Sequence, residues 1–346
     1  MKKITVLLII IIFSLPVNFL ISQTENPQYK IANRFNITGD EGWDYISVDD
    51  ASGKLYVSHG SMVQVVDESN GNVLGTITDL KGVHGIAIAP DMNKGFISNG
   101  RDSSVTVFDL NTLSVLDKIN VTGRNPDAIL YDPYSHYVFT FNGGTSNSTV
   151  IDAATNEVKA TIPLDGKPEF CASDGNGKVY VNIEDKSEIS MINSASMQVE
   201  QTWSVAPGEE PSGLALDNEN HRLFTTCHNK LMVIMDAMNG KVITTLPIGE
   251  RVDGADFDPV LKRAYSSNGD GTLTVVQESG SNDFKVLENV TTQLGARTCA
   301  VDTKTHHIFL PTAEFNPTPE PTVDNPHPRP SIKPGTFVIF DVAPVK

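Results

Sequence analysis

The stretch FISNGRDSSVTVFDLNT, residues 96–112, reads as a β-hairpin. An aromatic and two strand formers lead to Asn99, a polar turn follows, and an apolar alternation closes near Asp109. Alternation with a period of two, bounded by Gly, Asn, Asp and Ser, is the signature of paired strands. The same order returns in LYVSHGSMVQVVDESNG (55–71) and YSSNGDGTLTVVQES (265–279). A hairpin written repeatedly in one chain makes the repeat, rather than the hairpin, the unit to be folded.

Working outward, seven copies of a preceding strand align: WDYISVD at 43, VHGIAIAP at 83, PDAILYDP at 126, PEFCASD at 168, PSGLALD at 211, VDGADFDP at 252 and ARTCAVD at 296. Their spacing of 40–44 residues suits four-stranded propeller blades. Third strands such as SVTVFDL and LMVIMDA and fourth strands such as VLDKINV and KVITTLPI complete the repeat. The sequence therefore predicts an all-β, seven-bladed β-propeller, with a six- or eight-bladed ring as the alternative. After TFVIFDV the seventh repeat runs out of chain before a fourth strand. NRFNITG (33–39) resembles LDKINVTG (116–123), so the N-terminal strand is expected to close the last blade, removing a free edge.

The recurring pattern, Y/F-x-x-N…TVxVxD…G…I, resembles the YVTN-type repeats of bacterial YncE-like exported propellers. The closest copies are GFISNGRDSSVTVFDLNT and AYSSNGDGTLTVV, and the resemblance covers essentially the whole chain after residue 22. It implies an exported bacterial propeller and says little about chemistry. Its relatives include surface-layer-like and periplasmic proteins, and one is reported to bind single-stranded DNA.

The N-terminus agrees with export. Lys2 and Lys3, an apolar run from Ile4 to Phe13 and a break near Ser22 describe a secretory signal peptide over residues 1–22, a retained anchor being the alternative. Residues 23–346 then form a single propeller domain, periplasmic or secreted and expected to be monomeric, with no membrane span after cleavage. The whole chain carries a net charge of −16, and loss of two lysines leaves 24 basic against 42 acidic residues, −18. Nucleic-acid binding rests on neutralising phosphates with Lys and Arg, so this charge argues against it. Three cysteines at 171, 227 and 299 give neither a disulfide framework nor a zinc spacing. SDGNGK (173–178) and NGDGT (268–272) lack the spacing and closing Glu of a calcium loop and are expected to be turns.

The repeat places residues in space. Just before each innermost strand the chain carries Asp44, His84, Asp127, Glu169, Ser212, Asp253 and Arg297, a ring around the channel mouth. The loop between second and third strands opens on the same face and brings His59, Asn99, Asn142, Asn182, His228, Asn268 and Glu314. Asn and Asp also cap turns, which is the plain structural alternative for the asparagines. The inner ring varies in residue type where a structural need would favour one, and clustered carboxylates call for an Arg or a divalent cation, calcium or magnesium, as companion. In the last blade this second loop holds a proline-rich insert, residues 314–335, expected to be extended and to lie over the mouth as a lid or arm. The expected function is a scaffold binding a small molecule, glycan or protein at this face. The alternative is a metal-assisted lactonase- or lyase-type enzyme acting on a sugar acid or lactone.

Overall fold

The computed structural model describes residues 28–322, 325–326 and 328–345. The predicted signal peptide lies outside them. Seven four-stranded antiparallel sheets follow one another along the chain, each a blade. The innermost strands are Trp43–Asp49, Val83–Ala89, Pro126–Asp132, Pro168–Ser173, Pro211–Asp217, Val252–Asp258 and the two-residue Ala300–Val301. Each packs against the next, and Ala300–Val301 meets Trp43–Asp49, so the ring closes. Residues 296–299 of the predicted seventh innermost strand are irregular, leaving that blade short at the axis.

Blade seven takes its outermost strand from the N-terminus. Tyr29–Asn36 pairs antiparallel with Val338–Pro344, Phe35 opposite Ile339. The strand lies earlier than the expected 33–39, because Gly39 (φ 136) turns the chain away. Its start is latched to blade six. The Tyr29 hydroxyl meets that of Tyr265 at 2.9 Å and accepts from Arg263 at 2.7 Å, while Glu288 accepts the Tyr29 amide at 3.0 Å.

Alternation in the second and third strands gives each blade two apolar faces, and these meet their neighbours in separate cores. Tyr56, Val63 and Val65 of blade one, for example, pack on Ile86, Ile97 and Phe108 of blade two. Seven such clusters occur among the described residues, one per blade junction. Burial of this kind contributes about 25 cal/mol per Å² of apolar surface, spread around the ring rather than gathered at one centre. The axis itself is left to the innermost strands.

Candidate functional site

At the mouth end, most innermost strands break register with their neighbour. Trp43 pairs with His59 and Ile46 with Val57, so Asp44 and Tyr45 face the single residue Ser58. The same irregularity follows Val83, Pro126, Pro168, Pro211 and Val252. A bulge re-aims side chains and leaves an amide to satisfy. The sequence supplies the acceptor in the facing strand: Ser58 Oγ accepts the Asp44 amide at 2.9 Å, Ser98 Oγ that of Gly85 at 2.8 Å, and Thr226 Oγ1 that of Gly213 at 3.1 Å. Asp44, His84, Asp127, Glu169, Ser212 and Asp253 are each the second residue of an innermost strand, inside it rather than ahead of it.

These side chains meet. His84 Nδ1 lies 2.6 Å from Asp44 Oδ2 and 3.5 Å from Asp127 Oδ1. Arg297 Nη2 donates to Asp44 Oδ1 at 3.1 Å, and its Nη1 pairs with Asp253, which accepts from Ser212 Oγ at 3.0 Å. On the other flank Lys167 joins Glu169 at 2.5 Å and also pairs with Glu184. Except for His84, which lines an adjoining cavity with Asp44 and Arg297, these residues line a cavity of about 360 Å³ together with Tyr45, His228 and Arg329. Tyr45 of blade one separates it from the space beneath, its ring 5.0 Å from that of Phe170 of blade four, which lines that lower space. Elsewhere at this level the strands approach too closely for a side chain. A Cβ on Gly213 would lie 2.6 Å from the backbone of Gly254 and Ala255. Beneath Tyr45 the channel continues as a cavity of about 330 Å³ lined by Ile46, Ile86, Cys171, Asp256 and Cys299 among others.

The electrostatics follow from crowding in a partly dry place. Burial, then the charge of Asp44, raises the Asp127 carboxyl to about 6. Burial and Asp127 raise Glu169 to about 7, against the pull of Lys167. Burial opposes protonation of His84, but its bond to Asp44 and the Asp127 charge outweigh it, and the imidazole titrates above its ordinary value. Asp44, His84 and Asp127 each offer a donor atom within 4.8 Å of the others. Two carboxylates and one imidazole form a mixed set that suits a divalent ion accepting nitrogen as well as oxygen. An all-oxygen calcium shell would need further ligands.

The second predicted ring divides. Asn99, Asn142 and Asn268 are buried and clamp their own blades: Asn142 Nδ2 donates to Asn147 at 2.8 Å and Thr149 at 3.0 Å, and Asn268 Nδ2 to Thr272 and Thr274, both at 3.0 Å. Asn99 reaches Ser104 and Thr106 in the same way. His59, also buried, bonds Gln64 at 2.8 Å and stacks on Phe337 at 4.1 Å. Asn182 occupies the register position of Ser58 and donates to the Ser212 carbonyl at 2.7 Å. Cys227 takes the register position expected of His228, which instead sits exposed one residue on and lines the mouth. Glu314 pairs with Lys333 at 2.8 Å across the base of the insert and lines none of the cavities described. The insert is not wholly extended. Phe315 and Ile332 form a β-bridge, and Phe315 packs on Trp43 with ring centroids 5.9 Å apart. Beyond this stem Arg329 reaches the mouth cavity. Lys167, Tyr45, Phe170 and Arg329 were not singled out in the sequence. The one signal for Tyr45 and Phe170 was an aromatic where the other repeats place Gly, Ala or, in the seventh, Thr298.

Fold and site together define a seven-bladed β-propeller with a charged channel mouth. Among known proteins the chain is similar to YncE of Escherichia coli K12, 31% identical over 116 residues (30% of this chain, 33% of YncE), and the antigen Lp49 of Leptospira interrogans, 24% identical over 198 residues (51% and 41%). It is a YncE-like propeller in that sense, and the matched segments span well under half of either relative. No known family model matches the sequence. Solved structures of similar shape include Kuenenia stuttgartiensis hydrazine synthase (TM-score 0.69, 18% identity, 79% of this chain and 93% of that one) and U3-55K (TM-score 0.74, 8% identity, 89% and 98%), which speak for the fold alone.

Proposed function

We propose that the protein is an exported scaffold that binds a small polar ligand at the channel mouth. The observation that carries this reading is the convergence of Asp44, Asp127, Glu169, Asp253 and Arg297 from five blades onto one cavity that Tyr45 also lines, with His84 of a sixth blade joined to Asp44 and Asp127. Blade packing does not require six charged or imidazole side chains there, and crowding raises the pKa of two of the carboxylates. The chain's net charge of −16 favours a small ligand over a nucleic acid. Export is supported by the N-terminal sequence, and no helix among the described residues is long and apolar enough to cross a membrane.

A second reading, a metal-assisted hydrolase or lyase, is favoured by His84 standing between two carboxylates. A bound ion would be held by Asp44, His84 and Asp127, with the imidazole neutral, and would polarise a carbonyl. A thermal-shift panel of divalent cations, glucuronate and an aldonolactone on the parent and on Asp127→Asn tests both. Stabilisation of the parent that the variant lacks supports the mouth site, and lactone turnover with it supports the enzyme. Equal responses in both proteins remove the site.

A further inference from the structure

Beside the mouth, between blades five and six, a second cavity of about 560 Å³ is lined by His228, Arg251, Val252, Asp253, Arg297 and Arg329. Three arginines line it in a chain of net charge −16. Their charges are unequally satisfied. Arg297 is paired with Asp253 and Asp44, and His228 lies 3.3 Å from Glu210. Arg251 and Arg329 pair with no carboxylate among the described residues, although 42 acidic residues are present in the chain.

The backbone at Arg251 lies in the left-handed region. It adopts φ 57, immediately ahead of an innermost strand. The residue at the same place is Gly82 (φ 68) in blade two, Asn125 (φ 53) in blade three and Glu210 (φ 51) in blade five, so the conformation belongs to the repeat and glycine is one of the types that suit it. Arg329 arrives from a different direction, at the tip side of the stemmed insert. Two arginines that line one pocket and pair with no carboxylate among the described residues suit a planar carboxylate or a phosphate.

We propose that this pocket is an oxyanion subsite, in which Arg251 and Arg329, backed by Arg297, hold the carboxylate or phosphate of a small acidic ligand. The inference rests on the mouth-site reading and extends it. The ligand's anionic end lies between blades five and six, and its remaining polar groups face the Asp44–His84–Asp127 side.

The test is isothermal titration of the full chain with glucuronate and with inorganic phosphate, alongside Arg251→Gly and Arg329→Ala. Arg251→Gly is informative because glycine suits φ 57, so this variant is expected to melt no lower than the parent. Saturable binding of either anion, weakened roughly tenfold or more in both variants and by added salt, is the expected result. The anion that binds more tightly identifies which chemistry the subsite serves. Failure of both anions to bind the parent, or unchanged affinity in folded Arg251→Gly, overturns the subsite. Calcium response measured in the same proteins separates the two claims. If Arg251→Gly keeps parental anion affinity and the calcium response persists, only the subsite falls, whereas loss of the calcium response with anion binding intact counts against the mouth cluster alone.

Discussion

At residue 127 the fold holds a carboxyl whose pKa is raised to about 6, and the same holds at Glu169, near 7. A raised carboxyl contributes stability that is present below its unfolded pKa and lost as pH rises through the folded one. His84, also raised, runs in the same direction. In chelator, the melting temperature of the parent should therefore fall between pH 5 and pH 8. Glu68 and Glu278 on other parts of the ring add to the same trend, being raised to about 8 and about 7 by burial and a carboxyl neighbour. Asp127→Asn isolates the mouth: it should lose less stability over that window than the parent, by about 1–2 kcal/mol. A parent–variant difference that does not change with pH contradicts the placement. Gly100 gives a second residue-scale test, since a Cβ there would lie 2.5 Å from His84 Nε2 and 2.6 Å from Asn125 Oδ1. Gly100→Ala should displace His84 and cost about 1–2 kcal/mol in thermal or urea unfolding. The inner ring was legible because it is a column of the repeat. The fate of the asparagines was not, since the column does not say whether a side chain faces the axis or clamps its own blade. Asn142 clamps, with donors to Asn147 and Thr149.

The strands of the repeat were read correctly in number and order, and the bulge that aims Asp44 and its equivalents was not. It depends on a hydroxyl in the facing strand, Ser58 or Ser98, which a pattern of strand formers absorbs without notice. The insert was legible as a loop between second and third strands. Its stem was hidden, because Phe315 and Ile332 meet through backbone bonds between Asn316 and Ser331 and between Lys333 and Glu314, and through packing over Trp43, none of which the proline pattern displays. This changes what a deletion should do. Replacing residues 317–330 with a short Gly-Asn turn keeps the bridge and should leave stability within about 1 kcal/mol, as exposed segments make few packed contacts. Taking Phe315 and Ile332 as well should cost more, about 2–4 kcal/mol, by stripping the aromatic cover from Trp43. Urea unfolding of the two deletions decides it, and equal stability in both would show that the stem is no brace.

Closure of the ring is the feature of the whole molecule that the sequence displayed most openly, through the likeness of residues 33–39 to 116–123. Both strands place their apolar residue inward: Phe35 opposite Ile339 and Ile119 opposite Val105. Removing Tyr29–Asn36 exposes the edge of Val338–Pro344 and the cores that hold Tyr29 and Phe35. The loss should be on the order of 5 kcal/mol with association in size-exclusion chromatography, and a monomer melting at the parental temperature would contradict the closure. The ring also sets histidines on opposite ends. His84 and His228 lie at the mouth, whereas His306 and His307, bonded to Asp258 and Asp341, belong to the turn at the far end of blade seven. The most direct test of a mouth binding site is the imidazole NMR spectrum of the protein titrated with calcium and then with glucuronate. Saturable shifts at His84 and His228, with His306 and His307 unmoved, are the predicted result. Shifts confined to His306 and His307, or no saturable shift at any imidazole, would contradict it.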